Sequence, residues 1–363
     1  MTPTDTAPSR RSAQFQPCAC AARRGFLKGM SATTLGLAAG GASAASAAVP
    51  TLPWRIDVHH HFLPPLFART AAERGLLNPA LKSLSVEQSL EEMDRNGVAS
   101  SILSIPSPGA GFGDIALSRA VARDANEHAA RLAADHVGRF GMFATLTLPD
   151  VDGALAEAAY ALDVLKADGV QMWTSYGDFW LGDPRLTPLL EELNRRKAVV
   201  YTHPTTANCC ARLVPEAPIT MIEYGTDTTR TIASLVLSGA TSRYPDIRWI
   251  FSHAGGTMPF LLERFLLQGE AQSKTPAGAA RIPNGVLHEL KRLYFETAQS
   301  ANVNALGPLT NIVANTQILL GSDYPYRRVA DNVKGLEGSG LFDQAALRAI
   351  ERDNAASLLA RFA

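Results

Sequence analysis

The chain has 363 residues, 34 basic against 34 acidic side chains, an apolar share of 46% and a charged share of 19%. That length fills one large α/β barrel or two ordinary domains, and the composition is that of a soluble globular enzyme or binding protein. The zero formal net charge excludes the electrostatic signature of a nucleic-acid or membrane-surface binder, and no run of about eighteen strongly apolar residues offers a membrane span.

Residues 1–50 read as a segment apart from the fold. Arg23 and Arg24 form a charged front, followed by "GFLK", a weakly apolar Ala/Gly/Leu/Ser stretch, and "Ala-Ser-Ala" cleavage candidates before Pro50. This is the anatomy of an export signal, and the arginine pair resembles a twin-arginine address, which a receptor reads and which is not an anchor. The expected destination is the periplasm or the exterior, with the folded domain over 51–363. Cys18 and Cys20 fall inside this segment, leaving Cys209 and Cys210 beyond it. Sequence neighbours bridge only with strain, so no disulfide framework is implied.

From Arg55 onward, short β-branched and aromatic runs alternate with longer stretches of helical periodicity. Strands are predicted at "RIDVHHH" (55–61), "VASSILSIP" (98–106), "FGMFATLTL" (140–148) and "GVQMWTS" (169–175). Four more follow at "AVVYTHP" (198–204), "IRWIFSHAG" (247–255), "LYFETA" (293–298) and "QILLGSDYP" (317–325). Helices fit between them. "SVEQSLEEMDRNG" opens on Ser85 as N-cap and stops at Gly97. "DIALSRAVARDANEHAARLAAD", "DVDGALAEAAYALDVLKADG", "LTPLLEELNRR" and "DTTRTIASLVLSG" come after it. Strict βα alternation without hairpin signals argues for a parallel sheet, and eight such units fit a (β/α)8 TIM barrel. A doubly wound open sheet is the alternative, weakened because no Gly-rich dinucleotide fingerprint follows the first strand.

In such a barrel the chemistry gathers at the C-terminal ends of the strands. His59 and His61 end the first predicted strand, His203 the fifth, His253 the sixth, and Asp323 falls at the end of the eighth. Successive strand residues face opposite sides, so Asp57, His59 and His61 are expected on one face, with His60 packed outward against the helices or capping a loop. His-x-His then aims two imidazoles at one point. His59, His61, His203 and Asp323 make a borderline-soft N3O set for one divalent metal ion, Zn2+ first, with Mn2+, Fe2+ or Co2+ compatible and one coordination position open. His253 is expected beside the metal as an acid–base group. A lone histidine at a strand end is more often structural than a ligand; five such groups on four strands carry the reading. His128, His136 and His288 fall in helical stretches, away from it.

"DVHHHF", "THP", "SHAGG" and "GSDYPY", in that order, resemble the amidohydrolase superfamily, and most of all its decarboxylase branch, which includes aminocarboxymuconate-semialdehyde, γ-resorcylate and 6-methylsalicylate decarboxylases. "TLPD" (147–150), "TSYGD" (174–178) and "DTTRT" (227–231) are similar to the methylsalicylate decarboxylase subgroup. The resemblance runs from about Trp54 to the C-terminus. It implies His59 and His61 as paired ligands, His203 as the third, Asp323 as the fourth, and His253 as the acid–base or substrate-polarising residue. Two-metal hydrolases of the superfamily use a carboxylated Lys at the end of strand four; "MWTSYGD" has none, and Lys166 precedes the strand, so a single metal is implied.

The implied activity is metal-dependent, non-oxidative decarboxylation of a small aromatic or unsaturated carboxylic acid, with Asp323, or a metal-bound water acting with His253, delivering the proton. Trp173 and Tyr176, joined by Phe179 and Trp180, are candidates to stack on a flat substrate. Arg327, with Arg328 or Arg230, is a candidate to hold an anionic group, and Glu296 to support the site from behind its ligands. Cys209 and Cys210 read as loop residues. A mononuclear hydrolase of the lactonase kind is the alternative function, and a non-catalytic exported binding protein a third. No nucleic-acid partner is indicated; the fold commonly pairs, which makes a homodimer the candidate assembly.

Overall fold

A computed structural model describes residues 53–211 and 213–363. The export-signal reading, with Cys18 and Cys20, lies outside the described residues.

Eight strands form one parallel sheet in chain order: β1 (Arg55–His61), β2 (Val98–Ser104), β3 (Phe140–Thr145), β4 (Gly169–Trp173), β5 (Val199–His203), β6 (Arg248–Phe251), β7 (Tyr294–Glu296) and β8 (Ile318–Leu319). The end of the sheet returns to its beginning. Val58 N donates to Leu320 O at 2.9 Å, Asp323 N to His59 O at 2.8 Å and His61 N to Tyr324 O at 2.9 Å, closing a TIM barrel. Several strands stop before the predicted stretch does. β8 ends at Leu319, and β6 at Phe251, just before His253 (φ 54°) and Ala254 (φ 54°) take left-handed backbone, which cannot continue a strand; Asp323 (φ 62°) is left-handed too.

Helices form at all five predicted stretches, and others that the sequence signals did not mark join them, among them Leu262–Ser273 and Val329–Gly338. α1 (Pro65–Glu73) was not expected; Pro65 at its first position pre-sets the helical φ. α2 (Val86–Arg95) begins where Ser85 Oγ accepts from Gln88 N at 3.2 Å, and Gly97 (φ 66°) turns the chain just past its end. α3 (Ile115–Asp135), α4 (Val151–Asp163) and α5 (Thr187–Arg195) lie within the predicted stretches. α6 spans Ile219–Leu237 and so starts well before Asp227. Among the described residues, no helix is long and apolar enough to cross a membrane.

Two apolar layers hold the barrel. Ile56, Val58, Ile102, Phe143, Val199, Tyr201, Ile250 and Leu319 fill the interior, together with Leu358, Leu359 and Phe362 from the C-terminal segment. The larger layer lies between strands and helices. Truncating a buried aromatic such as Phe143 to Ala is expected to cost about 3–5 kcal/mol. With the strands' lower interior occupied by apolar side chains, polar chemistry is left to their C-terminal ends.

β1 departs from regular alternation, and this corrects one expectation. Ile56 and Val58 face the barrel interior, and His59 and His61 also point inward, but Asp57 does not share their face: its carboxylate accepts from the His60 ring at 3.1 Å. The pairing of β1 with β2 shifts register between Asp57 and His60. An irregularity of that kind resets which residues face the core, so Asp57 and His60 go together, away from the other two histidines.

Candidate active site

The four donors chosen from the sequence converge. One ligand atom from each of His59, His61, His203 and Asp323 lies within 4.8 Å of the others, and all four residues are buried. His59 Nε2 and His61 Nε2 are 3.2 Å apart. Asp323 Oδ1 is 3.2 Å from the first and 3.0 Å from the second. The outer ring nitrogens are engaged: His59 Nδ1 with Glu296 Oε1 at 2.9 Å, His61 Nδ1 with Ser104 O at 3.2 Å, and His203 Nδ1 with Pro204 O at 2.9 Å. These oxygens only accept, so each Nδ1 carries a hydrogen and each Nε2 can turn a lone pair inward. His203 Nε2 is buried with no partner.

Lone pairs and a carboxylate oxygen crowded together repel unless a cation sits among them, so the residues present fit a divalent ion. The electrostatics agree. Burial works against a charged His59, yet the carboxylates of Asp323 and Glu296 outweigh it and lift this imidazole to about 10. Burial lowers His61, and the charge of His59 adds to that. Burial, then the charges of His59 and His61, hold His203 well below its ordinary value. Burial alone would raise the Asp323 carboxyl; the charge of His59, the nearby His253 imidazole and the contacts with His59 and His61 instead hold it well below the usual range. The site is therefore built to hold positive charge, which a proton or a metal ion can supply.

His253 lies just beyond β6, outside the four-donor group. Its main-chain N donates to Glu296 Oε1 at 2.8 Å, and its Nε2 stands 3.6 Å from Asp323 Oδ2 with no hydrogen-bond partner. Glu296, expected as a supporting residue, is fully buried and connects His59 to His253 through one oxygen. Gly321 passes close behind it, and a Cβ there would sit 2.0 Å from Glu296 Oε2. The left-handed conformations of Asp323 and His253 each cost about 1–3 kcal/mol and persist only where the surroundings fix them.

Above the donors opens a cavity of about 500 Å3 lined by Leu76, Asn78, Ser107, Pro108, Thr220, Tyr224, Gln299, Tyr326 and Arg327, with His203 and Asp323 at its floor. Arg327 is thus placed at the cavity. Arg328 lines a different depression beside α2, and Arg230 pairs with Glu223 at 3.2 Å. Trp173 and Tyr176 are not among the lining residues. Trp173 packs edge-on to His203 with ring centres 5.2 Å apart, and its main-chain N donates to the buried Tyr176 hydroxyl at 2.9 Å. Gly109 (φ 73°) lies against the Trp173 indole so closely that a Cβ would be 2.2 Å from Nε1. The aromatic walls of the cavity are instead Tyr224 and Tyr326. Tyr326 stood inside "GSDYPYRR", where its spacing from Asp323 was a usable signal; Tyr224 and Gln299 carried none.

Behind the wall, Asp227 of α6 is fully buried and accepts from Thr174 Oγ1 at 2.5 Å, Ser175 Oγ at 2.8 Å and Trp180 Nε1 at 2.8 Å. This ties "TSYGDFW" to "DTTRT". Lys166 precedes β4, at the opposite end of the strand from the site. Cys209 and Cys210 are free thiols in a short turn after β5 and belong to neither of the metal-competent groups among the described residues.

A closed parallel barrel with an N3O cluster at its C-terminal rim defines a class of metal-dependent enzyme, and comparison with known proteins gives the family. The chain belongs to the amidohydrolase family, whose model matches residues 56–361. It is 37% identical over 329 residues to decarboxylase yanB of Aspergillus niger, covering 85% of this chain and 88% of that protein. It is 34% identical over 278 residues to 6-methylsalicylic acid decarboxylase of Penicillium expansum, covering 75% of this chain and 85% of the relative. Among solved structures it resembles a dihydroxybenzoic acid decarboxylase from Polaromonas sp. JS666, determined with bound manganese and the inhibitor 2-nitroresorcinol. That match has a TM-score of 0.75 at 20% identity and covers 85% of this chain and 97% of the other.

Proposed function

We propose that the protein is a metal-dependent, non-oxidative decarboxylase of a small aromatic carboxylic acid of the 6-methylsalicylate kind, a carboxy-lyase releasing CO2. The observation that carries this reading is the four-donor cluster beneath a cavity of about 500 Å3, roomy enough to admit an aromatic acid, in a chain more than a third identical to decarboxylase yanB. His59, His61, His203 and Asp323 are the residues to hold the ion. An N3O set suits Zn2+, and the manganese of the Polaromonas enzyme makes Mn2+ the second ion to test. When bound, a divalent ion supplies an electrophilic centre that orients the substrate's carboxylate and neighbouring hydroxyl and withdraws charge from the ring.

The chain's own residues do the rest. Tyr224 and Tyr326 flank a flat ring, and Arg327 meets an anionic group at the mouth. His253 Nε2, unpartnered beside Asp323, holds a proton and delivers it to the ring carbon bearing the carboxylate. Asp323 faces it and balances the charge. The carbon–carbon bond then breaks, its electron pair restores the aromatic ring, and CO2 leaves: one proton in, one CO2 out, no oxidant required. Residues 1–50 are proposed as a twin-arginine-like signal that sends the domain of 51–363 to the periplasm or exterior, supported by Arg23 and Arg24 before the Ala-rich stretch; cell fractionation checks it. The proposed assembly is a homodimer, supported by the habit of the fold and checked by light scattering.

The deciding assay incubates the metal-loaded protein with 6-methylsalicylate and a panel of hydroxybenzoates, reading CO2 and phenol. Stoichiometric CO2 is the expected result. No CO2 from any of them, together with 18O from water in the product of a lactone panel, would replace this reading with a hydrolase.

A further inference from the structure

The middle histidine of the "HHH" run has no place in the metal cluster, yet it is fully buried. Its ring turns outward from the barrel, stacks on Tyr324 with centres 4.9 Å apart and planes 28° from parallel, and uses Nδ1 to reach Asp57 Oδ2 at 3.1 Å. Nε2 is left without a partner. A ring needed only to fill space would leave no polar atom unsatisfied if it were apolar. The part of this imidazole that an apolar ring cannot replace is the Nδ1–H donated to Asp57.

Asp57, itself fully buried, is the centre of a hydrogen-bond network. Besides His60 Nδ1, its carboxylate accepts from His59 N at 3.1 Å, Ser322 N at 2.9 Å and Ser322 Oγ at 2.6 Å. Ser322 Oγ in turn accepts from Tyr324 N at 3.1 Å, and the Ser322 carbonyl accepts from Asn332 Nδ2 at 2.9 Å. The residue enclosed between Ser322 and Tyr324 is Asp323, whose left-handed backbone aims its carboxylate at His59 and His61. Left-handed backbone at a residue other than glycine needs fixing from both sides. Asp57 grips the segment before it, and the His60 ring covers the segment after it.

We propose that His60 is a positioning residue for Asp323: with Asp57 and Ser322 it locks segment 322–324 so that the Asp323 carboxylate faces His59 and His61. This rests on the reading of Asp323 as a metal ligand. The network crosses from β1 to the end of β8, so one cluster both closes the barrel and sets its chemistry. It also gives the three successive histidines separate work: two face the ion and the third holds the carboxylate opposite them.

The test compares His60→Phe, which keeps a flat ring and loses the donor, with His60→Asn, whose amide can reach Asp57 as Nδ1 does, and with Ser322→Ala. Each full-length variant is stripped and titrated with Co2+, reading the visible absorption of the bound ion, so that the result does not depend on any activity. Folding is checked by circular dichroism, and kcat and KM for 6-methylsalicylate are measured separately. Loss of a group that orients a ligand typically weakens a metal site by about 10–100-fold. His60→Phe is expected to weaken Co2+ binding by that factor, alter the band shape, and lower kcat more than KM rises. His60→Asn is expected to recover most of the affinity, and Ser322→Ala to lose it as His60→Phe does. Folded His60→Phe with unchanged Co2+ affinity and spectrum overturns the proposal, as does His60→Asn no better than His60→Phe. If His60→Phe does not fold, Ser322→Ala decides: unchanged affinity and spectrum overturn the proposal, and a weakened, altered site supports it. A wild-type protein that binds Co2+ but releases no CO2 sinks the decarboxylase reading alone.

Discussion

Glu296 Oε1 lies 2.9 Å from His59 Nδ1, with both side chains fully buried, and the same oxygen accepts the main-chain N–H of His253. One carboxylate from β7 thus fixes the hydrogen of the His59 imidazole and the backbone of His253 beside it. The other oxygen, Oε2, accepts from Ala298 N at 2.5 Å, so the group has little room to turn.

Glu296→Gln should therefore disturb both functions. The amide is nearly the same size but can turn an N–H toward His59, favouring the wrong tautomer. Metal affinity is expected to fall about 10–100-fold, read by competition with a chromophoric chelator, with kcat reduced further when metal is saturating. Wild-type affinity in Glu296→Gln would falsify this account of the contact.

His253→Ala is expected to retain metal at near wild-type stoichiometry while kcat drops by about 100-fold or more, the usual range for losing a general acid. His59→Ala and Asp323→Ala should lose metal and activity together. Elemental analysis beside rate measurement separates the two patterns. Metal-depleted His253→Ala would move this residue among the ligands and leave the proton unassigned.

Metal loading should depend on pH in a definite direction. The His59 imidazole, lifted to about 10 by Asp323 and Glu296 against the effect of burial, keeps its proton in the metal-free chain across neutral pH, and an incoming ion must displace it. Apparent affinity is expected to rise by about tenfold per pH unit from pH 7 toward 9 and to flatten near 10. The metal-free chain should behave oppositely: stability conferred by the raised folded-state value is complete below about 6.5 and declines as pH climbs toward 10. Titrations at fixed ionic strength, with thermal melts of stripped protein, give both slopes.

Asp227→Ala should be among the most destabilising single changes on the rim. It strands the donors of Thr174, Ser175 and Trp180 in a buried setting, each at about 1–3 kcal/mol, so a loss of roughly 3 kcal/mol or more is expected by denaturant unfolding. Because Thr174 also accepts from Thr205 N at 3.1 Å, two residues past His203, weaker metal binding should accompany it. A loss under about 1 kcal/mol would mean that water takes over the carboxylate's part.

The barrel and its four donors were legible because both rest on short-range patterns: β-branched runs of strand length, and His or Asp at their ends. What lay beyond reach depended on local irregularity. The placement of Asp57 with His60 follows from a register shift in β1, which no alternation rule foresees. The cavity walls depended on loop paths. Trp173 and Tyr176 are aromatic and directly follow a strand, as a substrate platform would, but the close pass of Gly109 buries the indole against His203, and Tyr224 approaches from a helix that begins earlier than its periodicity indicated. α1 was missed although Pro64 and Pro65 announced it, because nine residues seldom show a clear period.

Two histidines of the cluster come from the opening strand and its carboxylate from beyond the closing one, 262 positions from His61. A ribosome that has released only the first half of the barrel exposes two of the donors and no carboxylate to answer them. High-affinity loading must therefore wait until synthesis is nearly over, and the ion then acts as a clasp across the last seam to form. Stripping it should loosen that seam first, so amide exchange in the metal-free chain is expected to quicken at 56–61 and 320–324 while the β3–β5 wall stays protected.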